Sequence, residues 1–263
     1  MEIVVIVKRV PDMAEAEISI DRTGKDIEKG YLVFDVNEWD SYAMEEAVQL
    51  KEQLGGTVTA VAVGPEEVDE VLRRCIALGA DEALRLYDPA FAGGDPFTTA
   101  VILAAAIERL PHDLILTGVM GSDDGDGQVG GVVAYLLGLP HATLVTYLEV
   151  DGRTARVRRE LEGGLEEVLE LPLPALLTVQ TGINEPRYVP IAGIRRAARR
   201  EIQRLGLADL GLKSEEVGAA GTRVEVEGMF LPEAGKKGEI LEGSPDAVAE
   251  QLVGIFARKG WLG

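Results

Sequence analysis

The sequence is poor in cysteine and in basic residues. Cys75 is the single cysteine among 263 residues, which excludes an internal disulfide framework and a cysteine-rich zinc site. Basic residues number 26 against 45 acidic ones, so the formal net charge is -19. A surface this acidic repels the phosphates of DNA and RNA, and we therefore expect a protein that does not bind nucleic acid.

Long apolar runs are also absent. The opening stretch, MEIVVIVKRV, has too short an apolar run for a signal peptide or a membrane span, and no later window reaches the ~18 apolar residues that a span requires. Because 46% of the residues are hydrophobic, the chain can still build a sizeable core. We expect a cytoplasmic protein, or one of the mitochondrial matrix if the source is eukaryotic.

The first half of the chain alternates short β-rich runs with segments of helical periodicity. The β-rich runs cover residues 3–7, 57–63, 83–86 and 114–117, and the helical segments cover residues 38–54, 66–78, 96–110 and 128–137. This β-α-β order predicts an α/β fold with a doubly wound, mostly parallel sheet.

Two further features extend this predicted core. Residues 17–36 contain two alternating stretches around Arg22-Thr23-Gly24-Lys25, which predict a hairpin excursion at the carboxyl end of the first strand. After residue 140, alternating runs predict an antiparallel or mixed extension of the sheet. Those runs cover residues 142–150, 154–161, 165–171 and 174–181.

The chain divides into two predicted parts of unequal size. Residues 1–204 form the α/β domain, and residues 205–263 form a C-terminal arm that ends in a helix over 246–258. An arm of roughly 40 weakly patterned residues is unusual inside a compact domain. We therefore expect the arm and its helix to pack on a partner chain.

Residues 116–131 are the best candidate for a ligand site, and we call their central part, residues 118–129, the glycine turn. The turn begins where a predicted strand ends and leads into a helix, and its glycines let backbone amides approach a ligand. The segment lacks the Gly-Lys-Ser/Thr of a P-loop. Asp123, Asp124 and Asp126 lack the spacing of a calcium loop, so we expect no metal; a solvated acidic turn is the alternative to a nucleotide phosphate site.

A second candidate lies at Asn37-Glu38-Trp39-Asp40, just before the first helix. Asn37 there is either a simple helix N-cap or the edge of an adenine or ribose pocket, with Val63 on the neighbouring wall. No hydrolytic or redox constellation accompanies these residues, because His112 and His141 have no nucleophile motif near them. We expect no catalytic residues, and hence no enzyme acting by itself.

Arginines cluster near the end of the predicted domain. Arg195, Arg196, Arg199 and Arg200 share one side of a helix predicted over residues 194–204. In a protein of net charge -19, this arginine face is expected to attract an acidic protein partner. Nucleic acid is the weaker explanation, because no aromatic residues are interleaved with the arginines.

Taken together, several short motifs resemble the beta subunit of electron transfer flavoprotein. They are Val7-Lys8-Arg9-Val10-Pro11-Asp12, Asn37 with Ala43-Met44-Glu45-Glu46-Ala47, Gly79-Ala80-Asp81, the loop from Gly118 to Gly130, Glu162-Gly163-Gly164-Leu165-Glu166 and Asn184-Glu185-Pro186-Arg187-Tyr188. They follow one another in the family's order as far as about residue 204. The set is specific, although no single motif is.

The resemblance implies a fold, cofactors and partners. Members of the family have an adenine-nucleotide-binding α/β fold of the universal-stress and alpha-hydrolase-like type. The beta subunit forms a heterodimer with an alpha subunit that bears most of the FAD site, and it holds a structural AMP. The complex takes electrons from acyl-CoA dehydrogenases of fatty acid beta-oxidation and from other dehydrogenases, and passes them to a membrane quinone oxidoreductase.

The resemblance also implies positions for the site residues. The adenine side falls on Ile6, Asn37, Glu38, Trp39, Asp40 and Val63. The phosphate side falls on Gly118, Val119, Met120, Gly121, Ser122, Asp123, Asp124, Gly125, Asp126, Gly127, Gln128 and Val129. The dehydrogenase recognition loop falls on Tyr188, Val189, Pro190, Ile191, Ala192, Gly193 and Ile194, with Ile191 as the apolar anchor.

Two departures from the family pattern leave alternatives open. Gly127-Gln128-Val129 stands where relatives often have a hydroxyl, so backbone amides and Gln128 must do more of the binding. Met13 stands where some relatives place an aromatic residue near the flavin. The alternatives are an electron-bifurcating subunit with a second FAD in the AMP site, and a stand-alone nucleotide-binding protein of the universal-stress type.

Overall fold

A computed structural model describes residues 1–12, 18–232 and 238–262 of the chain. The strands are β1 (Glu2–Ile6), β2 (Arg9–Pro11), β3 (Phe34–Val36), β4 (Thr57–Val63), β5 (Glu82–Leu86), β6 (Leu114–Gly118), β7 (His141–Asp151), β8 (Thr154–Leu161), β9 (Leu165–Pro172), β10 (Ala175–Val179) and β11 (Gln203–Leu205). The helices are α1 (Glu38–Leu54), α2 (Asp69–Leu78), α3 (Pro96–Ile107), α4 (Val129–Leu137), α5 (Ile191–Ala197), α6 (Leu207–Leu210), α7 (Gly218–Gly221) and α8 (Pro245–Arg258). Short 3-10 helices occur at Glu66–Val68, Pro89–Phe91 and Ser214–Glu216.

Most strands of the described chain form one large sheet, which confirms the predicted α/β class. The sheet has nine strands in the order β11-β5-β4-β1-β6-β10-β7-β8-β9. All neighbours from β11 to β7 are parallel, and only β8 and β9 run antiparallel to their neighbours. Every residue of β6 and β10 is buried, as expected for parallel strands covered on both faces.

Helices cover both faces of the sheet and create two apolar layers. On one face, α1 and α2 bury Met44, Leu72 and Ile76; on the other, α3 and α4 bury side chains such as Leu103 and Val133. Within each helix the buried residues recur at helical spacing, as Met44 and Val48 do in α1 and Leu72 and Ile76 do in α2, which explains why the predicted helices are present. No helix among the described residues has the length and apolar character needed to cross a membrane.

The order of the strands creates a crevice at the carboxyl edge of the sheet. From β1 the chain moves to β4 and β5 on one side, and then returns to β6 on the other side of β1. The connections that follow β1 and β6 therefore diverge, and crevices at such switch points are the usual ligand sites of open α/β sheets. The glycine turn follows β6 directly, so it lies at this edge.

The predicted excursion after β1 is present in two parts. Strands β2 and β3 pair antiparallel, and an isolated antiparallel bridge joins Ile20 and Ile27 around a turn at the predicted place. Residues 20–27 are called the excursion hairpin below. Met13 lies outside the described residues, so its relation to the flavin stays a prediction.

The second half of the sheet matches the mixed extension that the alternating runs predict. Strands β7, β8 and β9 form an antiparallel meander, whereas β10 returns to the centre and lies parallel between β6 and β7. Pairing of β10 with two parallel neighbours explains why its five residues are all apolar or small and all buried.

The C-terminal region differs from the predicted arrangement in two respects. The arginine-rich helix α5 ends at Ala197, earlier than expected, and residues 203–205 form the edge strand β11 beside β5. Beyond the predicted boundary at residue 204, Leu210 and Val217 are buried in the α3 and α4 layer. The part without buried residues begins only at about residue 223, and we call residues 223–262 the distal arm, of which 233–237 lie outside the described residues.

Candidate functional site

A pocket of about 320 Å³ opens between the ends of β1 and β6. Thirteen of the predicted ligand residues line it, namely Ile6, Asn37, Asp40, Val63, Gly118, Val119, Met120, Gly121, Asp124, Asp126, Gly127, Gln128 and Val129. The pocket has nine further lining residues. Thr117 and Gly130 belong to the predicted 116–131 segment, whereas the sequence prediction missed Val7, Lys8, Gly94, Asp95, Pro96, Thr99 and Leu103. The two predicted candidates, the Asn37 region and the glycine turn, therefore lie at one cavity.

Five predicted residues, Glu38, Trp39, Ser122, Asp123 and Gly125, do not line the pocket. Trp39 instead donates its indole Nε1–H to Gln180 Oε1 at 2.9 Å, and the backbone N–H of Ser122 donates to Asn37 Oδ1 at 3.0 Å. Asp123 accepts a hydrogen bond from the Lys8 ammonium. Glu38 and Gly125 are exposed. Two of the five, Ser122 and Asp123, thus contact the site through the lining residues Asn37 and Lys8.

Asp40 joins the ends of β1 and β6 from the first turn of α1. Its Oδ2 accepts the backbone N–H of Lys8 at 2.7 Å, and its Oδ1 accepts the backbone N–H of Gly118 at 2.9 Å. Burial raises the pKa of this carboxyl to about 7, although the two backbone donors oppose the shift. An additional Cβ on Gly118 would lie 2.5 Å from Asp40 Oδ1, so only glycine allows this close approach.

Asn37 holds the glycine turn and does not cap the helix. Asn37 directly precedes α1, but its side chain makes no cap hydrogen bond to the helix. Its Nδ2 donates to the carbonyl of Met120 at 2.8 Å, and its Oδ1 accepts from Ser122, so both ends of the amide are used. The simple N-cap interpretation is therefore wrong, and the side chain fixes the conformation of the turn across 83 residues of sequence.

Lys8 closes the mouth of the pocket. Its Nζ donates to Asp123 Oδ1 at 2.6 Å and to Asp124 Oδ2 at 2.5 Å, and its side chain is 42% exposed. Burial lowers the pKa of Lys8, but the two aspartates outweigh this effect and raise it above 10.5. Lys8 is the second residue after β1, and a lysine at the carboxyl end of a first strand is a signal from which sequence reasoning could have found it.

The far end of the pocket wall is fixed by Asp95 at the start of α3. Its carboxylate accepts the N–H of Thr98 at 2.8 Å as a helix N-cap, and the N–H of Arg223 at 2.7 Å. Burial raises the pKa of Asp95, but these hydrogen bonds outweigh it and lower the pKa to about 2. The sequence Gly94-Asp95-Pro96 after a predicted strand is an N-cap signature that could have indicated this wall.

The chemistry of the pocket suits a ligand with an apolar ring and a phosphate. Ile6, Val63 and Leu103 supply apolar surface. At the other end, α4 begins at Val129, and the first N–H groups of a helix have no intrahelical partner and attract anions. Gly127 just before it has φ +60°, a left-handed conformation that lets the turn present its amides.

A separate surface is formed by the predicted recognition segment, residues 188–194. Its apolar side chains project into solvent, since Tyr188 is 98% exposed, Ile191 72% and Ile194 55%. Residues 191–194 form the first turn of α5, which corrects the expectation of a loop. Gly193 packs so closely on Ala77 of α2 that a Cβ would overlap its carbonyl oxygen, and this contact turns Ile191 and Ile194 outward.

The residues just before this segment attach it to α1. Arg187 bonds Glu45 at 2.8 Å and Glu52 at 2.6 Å, and Asn184 Nδ2 donates to Glu46 Oε2 at 2.9 Å. Burial raises the pKa of Glu45, but the hydrogen bonds from Arg187 outweigh it, so the pKa is lowered overall. The Asn184–Tyr188 motif therefore serves as the base of the exposed segment.

The arginine face continues from this segment. Arg195, Arg196, Arg199 and Arg200 line one shallow groove together with Ala192. Although α5 ends at Ala197, two further turn hydrogen bonds, Arg199 N to Arg196 O and Arg200 N to Ala197 O, keep the side chains on one side. The result is an apolar patch bordered by positive charge on an otherwise acidic protein.

The structure defines an α/β protein with a glycine-lined pocket at the switch point of its sheet and a separate apolar and basic surface. A sequence model of the electron transfer flavoprotein domain matches residues 31–210, which include the glycine turn and the Asn184–Tyr188 motif. The chain is 39% identical to the electron transfer flavoprotein subunit beta of Methylophilus methylotrophus, over 97% of this chain and 98% of the relative.

Two other relatives extend the comparison. The electron transfer flavoprotein subunit beta of Bacillus subtilis is 38% identical over 97% of both chains. The caffeyl-CoA reductase-Etf complex subunit CarD of Acetobacterium woodii is 37% identical over 98% of this chain and 99% of the relative. The chain therefore belongs to the beta-subunit family of electron transfer flavoproteins.

Proposed function

We propose that this chain is the beta subunit of a heterodimeric electron transfer flavoprotein and that it holds AMP as a structural ligand. The heterodimer carries electrons from dehydrogenases, including acyl-CoA dehydrogenases, towards a membrane quinone oxidoreductase. The observation that supports this proposal most directly is the pocket at the switch point, where an apolar end and a glycine-lined helix N-terminus face one cavity.

AMP suits the size and the polarity of this pocket. A cavity of about 320 Å³ is at the small end of ligand sites, which agrees with a mononucleotide. Its adenine ring would contact Ile6, Val63 and Leu103, and its phosphate would accept hydrogen bonds from the amides around Gly127. A second FAD would have to extend beyond the cavity.

The distal arm supports the proposed alpha-subunit partner. Helix α8 has no buried residue, and Val253, Phe256 and Trp261 near the C-terminus are 56%, 36% and 65% exposed. The extended stretch before it also exposes large apolar side chains, with Phe230 at 85%. Burial of this surface on a second chain would remove apolar area from water. The FAD would be bound mainly by that second chain and would lie near the shared interface.

The recognition segment supports the proposed docking of dehydrogenases. Ile191 and Ile194 form an exposed apolar anchor held by a rigid base, and apolar anchors of this kind dominate many interfaces. The arginine face beside them would steer acidic partner surfaces towards the anchor. In this function the chain itself needs no bond-making residue, because the flavin of the complex accepts and donates the electrons.

The electron-bifurcating alternative is favoured by one observation, the similarity to CarD, a subunit of a caffeyl-CoA reductase-Etf complex. In that case a second FAD would take the place of AMP. The stand-alone universal-stress type of protein is disfavoured by the exposed apolar surface of the distal arm, which a chain acting alone would leave in water.

One experiment separates these functions. The chain is purified alone and with its co-expressed alpha subunit, the bound small molecules are released with acid, and they are identified by chromatography and absorbance. We expect AMP in the chain, and one FAD per complex only when the alpha subunit is present. Two FAD per complex would establish the bifurcating alternative, and absence of any nucleotide would contradict the proposal.

A further inference from the structure

We propose that Lys8 recognises the phosphate of the bound nucleotide, and that it makes the pocket prefer a nucleotide over the corresponding nucleoside. This inference rests on the proposed function, because it takes an adenine nucleotide as the ligand. It assigns a binding role to a residue that links the end of β1 to the glycine turn.

The charges around the pocket require a cation there. Four carboxylates line the cavity, those of Asp40, Asp95, Asp124 and Asp126, whereas Lys8 is the only lysine or arginine among the described lining residues. Asp40 and Asp95 are each compensated by two backbone N–H donors. Asp124 and Asp126 lie in the glycine turn itself and would repel an entering phosphate.

Backbone amides and the helix N-terminus alone would have to overcome this repulsion. The partial positive charge at the start of a helix is about half an elementary charge, which is less than the charge of either aspartate. The Lys8 ammonium carries a full charge, and the two aspartates keep it protonated. It is therefore the group that can make the mouth of the pocket favourable to an anion.

Lys8 is positioned so that its ammonium can move without moving its backbone. The backbone N–H donates to Asp40 at 2.7 Å, and the backbone carbonyl accepts the N–H of Asn37 at 2.9 Å. The Nζ, in contrast, bonds Asp123 and Asp124 where all three side chains are partly exposed. Ion pairs at such sites contribute little to stability, so exchange of one aspartate for a phosphate oxygen costs little.

The ammonium has enough donors to bind both groups at once. Lysine has three N–H groups, and two of them meet Asp123 and Asp124. A phosphate in front of α4 could take one donor while Asp123 keeps another. In this arrangement Lys8 neutralises the ligand and still holds the glycine turn against β1.

A purely structural role for Lys8 is the competing explanation, and a comparison of two ligands separates the roles. The heterodimer is stripped of nucleotide and titrated calorimetrically with AMP and with adenosine, as wild type and as Lys8→Met. We expect Lys8→Met to lose about tenfold or more in affinity for AMP and to keep its affinity for adenosine. Lys29→Met is the matched control, since Lys29 is an exposed lysine paired with Asp26 on the excursion hairpin.

A second variant tests the same charge argument in the opposite direction. Asp124→Asn removes a repelling charge but keeps a side-chain oxygen that can accept the N–H of Asp126, so the turn is preserved. We expect this variant to bind AMP more tightly than the wild type does and to bind adenosine with unchanged affinity. It keeps the inference testable even if Lys8→Met does not fold.

Two results would overturn the inference. If Lys8→Met loses affinity for AMP and for adenosine equally, Lys8 is a positioning residue only. If its affinity for AMP is unchanged, Lys8 does not bind the phosphate. A wild-type heterodimer that binds neither ligand contradicts the proposed function itself, and the inference with it. That outcome is seen in the wild type, before any variant is compared.

Discussion

At the scale of single residues, the candidate site is built by side chains that hold the backbone around the pocket. Asn37 and Asp40 use their polar atoms to fix residues 118–122, and Lys8 reaches the same turn from β1. The sequence indicated the glycines and Asn37, because turn residues and caps have local signatures. It could not indicate what Asn37 bonds, because its partners lie more than 80 residues away.

The buried carboxyl of Asp40 predicts a dependence of stability on pH. Its pKa of about 7 in the folded state is above its ordinary value of 3.8, so the folded chain binds more protons between about pH 4 and pH 7. The free energy of unfolding therefore falls as pH rises through this window. Asp40→Asn removes this linkage. The difference in the free energy of unfolding between the wild type and Asp40→Asn should therefore change by up to ~4 kcal/mol from pH 4 to pH 7.

Urea unfolding at several pH values measures this difference. Burial also raises the pKa of Glu46, but that residue is common to both proteins and cancels in the comparison. A difference that stays constant with pH would show that the Asp40 carboxyl is ionised throughout, and that its backbone donors outweigh its burial.

Arg187 gives a second prediction at the residue scale. Arg187→Met leaves the buried carboxylate of Glu45, which is 5% exposed, without its cation. Because Arg187 itself is partly exposed, we expect a loss of about 2–3 kcal/mol in the free energy of unfolding, below the range for a fully buried pair. Arg195→Met serves as the control and should change stability by less than about 0.5 kcal/mol. Equal effects of the two variants, measured by urea unfolding, would argue against the role of Arg187 in attaching the exposed segment to α1.

At the scale of elements, α5 holds the side chains of a short sequence segment on the surface of the domain. Gly193 and Ala197 are buried against the domain, so the side chains between them face outward. The sequence predicted the exposed segment and the arginine cluster. It did not predict the end of the helix at Ala197, because the strand β11 that follows is fixed by pairing with β5 and not by its own pattern.

Ile191→Ala tests the function of this element. Truncation of an exposed anchor should raise the KM for dehydrogenases by about tenfold, while the nucleotide content and the heterodimer stay intact. Leu54→Ala is the control, since Leu54 is another exposed aliphatic residue, at the end of α1. Electron transfer measured against dehydrogenase concentration gives the comparison. Loss of nucleotide or of the partner in Ile191→Ala would mean that Ile191 supports the fold.

At the scale of the whole molecule, the chain has a folded domain and a distal arm whose described residues add nothing to the core of that domain. No described residue beyond Thr222 is buried, and the contacts of the arm with the excursion hairpin are limited to bonds such as Met229 N to Gly24 O and Lys25 to Glu225. The domain core, in contrast, includes Leu210 and Val217. The arm is therefore available to a second chain.

Truncation of the chain after Val224 tests this division. The domain should keep its melting temperature to within about 4 °C, because the core and the Arg223 N–H bond to Asp95 are retained. The truncated chain should fail to co-purify with the alpha subunit. A chain truncated after Gly211 removes the buried Val217 and should lose stability, which serves as the contrast. Retention of the alpha subunit by the first truncation would show that the arm is not the main contact.

The sequence by itself determined the α/β class, the positions of most helices and strands, and the glycine turn. These features depend on side-chain periodicity, glycine content and short motifs, which are local properties of the chain. The tertiary structure alone decided that β10 inserts between β6 and β7, that the core continues to Val217, and that Asn37 bonds Met120 and Ser122. These features depend on contacts between residues far apart in sequence, and only the packing of the whole sheet brings such residues together.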